Sequence, residues 1–265
     1  MLLRCVLLLF SVSVFAAEVQ KNSLLFHSWS RYSQFGEEGI LEEILRRLQI
    51  DDGFFVEFGA ANGLYLSNTR FLAERGWKGA FIEASPELIE EAMENCKDLP
   101  HVQLINEFVA PNKASKRGMT LDTIAEIYFP EEEIDVLSID IDGSDYLILE
   151  NLRCKPKIIL IEGGIYWSPT LRKRIPDAIA AYDLNQPLPE MFSIAAKKGY
   201  TPVCFTINTF FIRNDLASCF QEIENDPESL YWDSWYYYSE KYPHHIEYVR
   251  RARDSNSLIR KYDPK

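Results

Sequence analysis

The stretch "IDVLSIDIDGSDYLILE", residues 134–150, sets Asp140, Asp142 and Asp145 around Gly143 at the end of an apolar run. Three chemistries use such a pattern. A calcium loop would place Ser138, Asp140, Asp142 and Gly143 at its first, third, fifth and sixth positions. Its first position then lacks an acid, and its twelfth is Leu149 instead of glutamate. A glycosyltransferase Asp-x-Asp would use Asp140 and Asp142 to hold a divalent ion on a sugar diphosphate. The third reading is a strand, "VLSIDI", with Asp140 at its carboxyl end facing a ligand. Asp142 and Gly143 then turn the chain, and Asp145 caps the helix that follows. The alternation of Ile139 and Ile141 with the acids favours the strand.

A second constellation lies earlier, in "VEFGAANGLYLSNT". Glu57 precedes Gly59, and Gly63 follows four residues later. The dinucleotide pattern Gly-x-Gly-x-x-Gly fails at its second glycine. Two glycines still let the backbone turn tightly and let a bulky small molecule approach it. A carboxylate at that turn disfavours a pyrophosphate and favours a cation such as an ammonium. Twenty residues after Gly63 an apolar run ends in Glu83, placed to accept both hydroxyls of a ribose. A nucleoside that carries an ammonium fits both features, and S-adenosylmethionine is such a molecule.

These residues need a frame. Seven apolar runs read as strands: "GFFVEFGA", "GAFIEA", "VQLINEFVA", "IDVLSIDI", "KIILIEGG", "YTPVCFTI" and "TFFIRND". Several are nearly continuous in apolar residues, as suits parallel strands buried on both faces. Amphipathic segments separate the first six, among them "SPELIEEAMENC", "MTLDTIAEIY", "DYLILENL" and "PEMFSIAAKKG". Such alternation predicts an open, doubly wound α/β sheet whose ligands lie beyond the strands' carboxyl ends. The last two runs are joined by Asn208 and its neighbours alone. A parallel crossover needs a dozen or more residues, so this pair must be an antiparallel hairpin. Upstream, "SQFGEEGILEEILRRLQI" predicts a helix with Ser33 as its N-cap.

The chain has 265 residues, 47 % of them hydrophobic, and a formal net charge of −12. That supports a full core and argues against a nucleic-acid partner, which needs a basic footprint. Residues 1–16 have the charged, apolar and small-residue parts of a secretory signal, with an uncleaved N-terminal anchor as the alternative. Either places the protein outside the cytosol: periplasm, secreted or secretory lumen, or anchored to a membrane by its N-terminus. Beyond the signal, Cys96, Cys154, Cys204 and Cys219 allow two disulfides in three connectivities. Cys204 lies in a strand run and reads as a buried thiol. Without a Cys-x-x-Cys pair, and with His244 and His245 pointing apart on a helix, no metal is expected. From residue 216 the chain turns aromatic and then basic. That predicts short helices packed on the domain.

The pieces "YSQFGEEGILEEIL", "FVEFGAANGLYLSNTRFL", "GAFIEASPE", "TLDTIAE", "DVLSIDIDGSDYLILENL", "PKIILIEGG" and "KKGYTPVCFTINTFFIRND" follow one another over residues 32–215. In that order they resemble the FkbM-type methyltransferases, which depend on S-adenosylmethionine. The resemblance implies a methyltransferase domain over residues 30–215 and a helical, aromatic-rich extension over 216–265. It implies a seven-stranded Rossmann-like sheet with an antiparallel last strand, and methyl transfer to a hydroxyl oxygen. Carried over by position, Glu57, Gly59, Asn62 and Gly63 surround the methionine and ribose, and Glu83 holds the ribose hydroxyls. Asn106 lies near the adenine, Asn68 approaches the methionine end, and Gln34 and Glu37 close over the cofactor. Asp140 is the strand-end acid of the active site and, with Glu162, the candidate base. The stretch "EGGIYWSP" departs from the asparagine-proline sequence that follows the strand glutamate in such proteins, so the acceptor is open between small molecule, glycan and lipid. A noncatalytic exported binding protein of the same fold and a metal-dependent glycosyltransferase remain the alternatives.

Overall fold

A computed structural model describes residues 19–181 and 184–263. The predicted signal, residues 1–16, lies outside them. The seven predicted strands are all present: β1 (Phe54–Phe58), β2 (Lys78–Glu83), β3 (Val102–Asn106), β4 (Val136–Ile139), β5 (Ile158–Glu162), β6 (Tyr200–Phe205) and β7 (Asn208–Arg213). They form one sheet in the order β3-β2-β1-β4-β5-β7-β6. β1 to β5 pair in parallel, while β7 runs antiparallel to both β5 and β6. This is the Rossmann-like seven-stranded sheet with the hairpin that the short Thr206–Ile207 connection requires. β1 and β4 are buried at every position, which is why their sequences are apolar apart from Glu57 and Ser138.

The strand order reverses between β1 and β4. Right-handed crossovers then send the chain to opposite faces on the two sides of that point, and a cleft opens beyond the carboxyl ends there. Helix α1 (Glu37–Leu48) precedes β1. The short α2 (Arg70–Glu74) and α3 (Pro86–Asn95) follow β1 and β2. α4 (Leu121–Tyr128) leads into β4 and α5 (Asp145–Asn151) leaves it. After β5 come α6 (Asp177–Ala180) and α7 (Leu188–Lys198).

The start of α1 differs from the sequence reading. Gly36 is its N-cap, at φ 95°, and not Ser33. The Ser33 hydroxyl instead donates to Glu38, whose Oε2 also accepts the amides of Arg31, Tyr32 and Ser33. Glu37 is likewise buried. It accepts from the Phe35 amide and the Thr206 hydroxyl, and so ties the entry segment to the β6–β7 hairpin.

The C-terminal region forms three helices, α8 (Pro227–Lys241), α9 (Pro243–Ser255) and α10 (Ser257–Tyr262). Tyr231 of α8 stacks on Phe205 of β6, and Tyr238 packs edge-on against Phe35. The aromatic run is therefore packing, as its composition predicts. β6 is the edge strand on this side. Its pairing with β7 shifts register between Pro202 and Cys204. The four cysteines among the described residues are free thiols, and Cys204 is buried. No helix among the described residues is long and apolar enough to cross a membrane.

Candidate active site

A cleft of about 770 Å³ lies beyond the carboxyl ends of β1 to β4. Gly59, Ala61, Ile82, Glu83, Leu88, Phe108, Val109, Asp140, Ile141 and Ser144 are among its walls. Four of the residues singled out from sequence line it: Gly59, Glu83, Asp140 and Asp142.

Gly59 sits one residue past β1 at φ 71°, a left-handed conformation that favours glycine. A Cβ there would overlap the carbonyl oxygen of Asp140. The two loops that leave β1 and β4 thus touch backbone to backbone at the switch point. Glu83 ends β2. One of its oxygens accepts from the Ala61 amide at 3.0 Å, the other from Ser85 at 2.8 Å. These bonds fix the carboxylate at the cleft wall, and each oxygen keeps a lone pair for a ligand.

The other predicted residues shape the site from behind. Glu57 is 3 % exposed and spends its oxygens on one loop. It accepts from the Ser67 hydroxyl at 2.6 Å, the Asn68 amide at 2.9 Å, and the amide and hydroxyl of Thr69 at 3.2 and 2.5 Å. Burial still raises its pKa, against the pull of those donors. Asn68 donates its side-chain amide to Ser138 beneath the cleft. Asn62 closes a local turn by accepting from Leu64 and Tyr65, and donates to Glu91. Gly63 packs against Cys96 and Phe81. Asn106 donates to the Glu83 carbonyl and so braces the end of β2. Asn62, Gly63, Asn68, Asn106 and Glu57 are not cleft-lining residues. Asn106 braces Glu83, and the others fix the loop that follows β1 against itself, β4 and α3.

On the other side of the switch point the acids gather. Register partners share a sheet face, and residues two apart return to it. Glu57 pairs with Ser138, Ile139 with Ile161, and Glu162 with Asn208. Asp140, one residue past Ile139, therefore falls beside Glu162 on the face that carries Glu57. One oxygen each of Asp140, Asp142 and Glu162 lie within 4.8 Å of one another. Asp145 is fully buried and accepts from the amides of Ile141 and Gly143, so it pins the turn before its helix instead of capping the helix. Burial first, then the carboxylates of Glu162, Asp145, Asp142 and Glu57, push Asp140 up to about 9.

Sequence reasoning missed the apolar cleft walls Leu88, Phe108 and Val109. Phe108 and Val109 stand directly after β3, so the strand-end rule could have found them. It also missed Asn185, which donates to Asp145. Nothing in the sequence around Asn185 marks it.

No protein-family model matches this sequence, and no curated protein matches it. Among solved structures the fold is similar to a candidate caffeoyl-CoA O-methyltransferase from Staphylococcus aureus, at 12 % identity over 69 % of this chain and 85 % of the other, TM-score 0.47. It is similar to a methyltransferase from Podospora anserina with S-adenosylhomocysteine bound, at 16 % identity over 68 % and 79 % of the two chains, TM-score 0.42. A SAM-dependent methyltransferase from Thiobacillus denitrificans, in complex with S-adenosylhomocysteine, matches at 16 % identity over 90 % and 89 %, TM-score 0.35. Likeness at this level is loose and says nothing about acceptor or reaction.

Proposed function

We propose that this protein is an S-adenosylmethionine-dependent methyltransferase of the FkbM type that methylates a hydroxyl oxygen. The observation that carries the reading is the wall of the cleft. Gly59 lets the loops after β1 and β4 meet where a Cβ would strike the Asp140 carbonyl, and beside them Glu83 holds a fixed carboxylate among the apolar faces of Ile82, Leu88 and Phe108. That arrangement suits a nucleoside: a diol for the carboxylate and a base for the apolar walls. S-adenosylmethionine bound there supplies a methyl group on a sulfonium centre. Asp140 then faces the cationic part of the ligand, and a positive charge beside it favours its ionised form. Asp140 and Glu162 are placed to orient the acceptor hydroxyl and take its proton. The acceptor is a small molecule, glycan or lipid. Residues 1–16 lead us to place the chain outside the cytosol, where S-adenosylmethionine has to be delivered.

The test is calorimetric titration of S-adenosylmethionine into the full chain, beside Glu83→Ala. The expected result is binding that weakens by roughly 10- to 100-fold in the variant, the worth of a charge-assisted hydrogen-bond pair. A folded chain that takes up no heat of binding would sink the reading.

A further inference from the structure

The methyl-transfer reading uses Asp140 and Glu162 but leaves Asp142 without a task. The three carboxylates are nonetheless close enough to share one ion. An ion with metal–oxygen distances of about 2.1–2.4 Å sets its ligand oxygens roughly 3–5 Å apart. The 4.8 Å limit on the present cluster lies within that span.

Acids gather on protein surfaces without an ion, so the cluster needs independent support. Asn185 gives it. This residue is 2 % exposed. Its Nδ2 donates to Asp145 Oδ2 at 3.0 Å, and Asp145 binds the amides of Ile141 and Gly143. The Asn185 amide is therefore aimed at the turn that carries Asp140 and Asp142. The same side chain lies on Gly163, the residue after Glu162, where an added Cβ would stand 3.1 Å from Asn185 Cγ and 3.4 Å from its Nδ2. The side chain sits between the two arms of the cluster, yet its Oδ1 has no hydrogen-bond partner. Asn208, the register partner of Glu162, is 3 % exposed and also leaves its Oδ1 without a partner. Buried amide oxygens are nearly always met by a donor or a cation.

We propose that Asp140, Asp142 and Glu162 bind one hard divalent cation, of the magnesium or manganese class, with the Asn185 amide oxygen completing the protein's ligand set. An all-oxygen set selects such ions over zinc or copper. The assigned role rests on the methyltransferase reading. At the ends of β4 and β5 the cation takes the acceptor's hydroxyl oxygen as a further ligand. The O–H bond then breaks more readily, its proton passing to the second carboxylate oxygen of Asp140 or Glu162, and the oxygen bonds to the methyl carbon as that carbon's bond to sulfur breaks and S-adenosylhomocysteine leaves.

The experiment is titration of the full chain with Mn²⁺, followed by the electron paramagnetic resonance of free Mn²⁺. The expected result is one tight site per chain, competed by Mg²⁺ and weakened at least tenfold in both Asp142→Asn and Glu162→Gln. The pair Glu87→Gln and Glu94→Gln, on α3, keeps the site and controls for the acidic surface. No Mn²⁺ site, or a site that survives in either folded variant, overturns the proposal. Asp142 is exposed, so Asp142→Asn decides alone if Glu162→Gln does not fold. S-adenosylmethionine is titrated in parallel. Its binding without an Mn²⁺ site overturns the cation and spares the enzyme. An Mn²⁺ site without its binding supports the cation site and removes the role given to it.

Discussion

The ends of β1 and β4 lie side by side, and each carries a carboxylate on the same sheet face, Glu57 buried and Asp140 half-buried on the cleft wall. Glu57 is met by four donors from Ser67, Asn68 and Thr69. Asp140 is met by the carboxylates of Glu162, Asp145 and Asp142. One acid has been given what it needs to be stable, and the other has been given like charges. Burial raises both, but only Asp140 has neighbours that add to the shift. The lesson is that a buried acid by itself does not mark a working group. The company it keeps separates a structural carboxylate from one that waits for a cation.

The contrast is sharpest in stability. Glu57→Ala leaves buried amides and hydroxyls of the 67–69 loop without an acceptor. Each buried orphan costs about 1–3 kcal/mol, so the variant is expected to lose about 3 kcal/mol or more, read as a fall in melting temperature and in the denaturant midpoint. Asp140→Asn, two residues away on the sheet surface, should do the opposite. It removes a like-charge contact, so its melting temperature stays level or rises. The comparison breaks if the two variants melt alike.

Activity should invert that order. Once an acceptor is found, Asp140→Asn is expected to slow methyl transfer by about 10²–10⁴-fold, the range of a lost general base. Glu83→Ala belongs to the cofactor side and should act through affinity, as set out above. A smaller change comes from Gly59→Ala. Forced into a left-handed conformation and against the Asp140 carbonyl, it should cost about 1–3 kcal/mol of stability and weaken cofactor binding.

The smallest effect lies far from the cleft. The hydrogen bond from Arg46, helped by Arg47 and His27 and opposed by burial, holds the Glu43 carboxyl down at about 2. Its folded value lies below its ordinary 4.5, so its contribution to stability is complete above 4.5 and is lost as the pH falls towards 2. Glu43→Gln should lower stability modestly at neutral pH and flatten the acid limb, so that variant and parent converge as the pH falls towards 2. An identical acid limb in the variant would show that the Arg46 contact does not set it.

Much of the frame could be read from residue types. β1 and β5 were legible because both faces are buried along almost their whole length and each run is apolar but for one glutamate. The β6–β7 hairpin was legible because two residues cannot span a crossover. The cleft itself was half legible. Glu83 and Asp140 stand where strand-end logic puts them. Glu57, Asn62 and Asn68 occupy the expected loop but face its interior, and side-chain direction in an irregular loop depends on which donors lie nearby. The carboxylate cluster was legible in part: Asp140 and Glu162 were expected at neighbouring strand ends, while Asp142 was read as a turn residue. Glu162 joins Asp142 only through the pairing of β4 with β5, and Asn185 reaches Asp145 and Gly163 only through the tertiary fold. Ser33 misled for a similar reason: its hydroxyl found Glu38 before it could cap a helix.

The register shift in β6 has a consequence of its own. An edge strand is a template on which another chain can grow. Pro202 has no N–H to offer such a chain, and the extra residue at Val203 breaks the spacing of the groups that remain. Tyr231 and its helix shield the same strand from one face. The β6 edge is thus a poor seed for strand addition, and the sheet stops there by the chemistry of one imino acid.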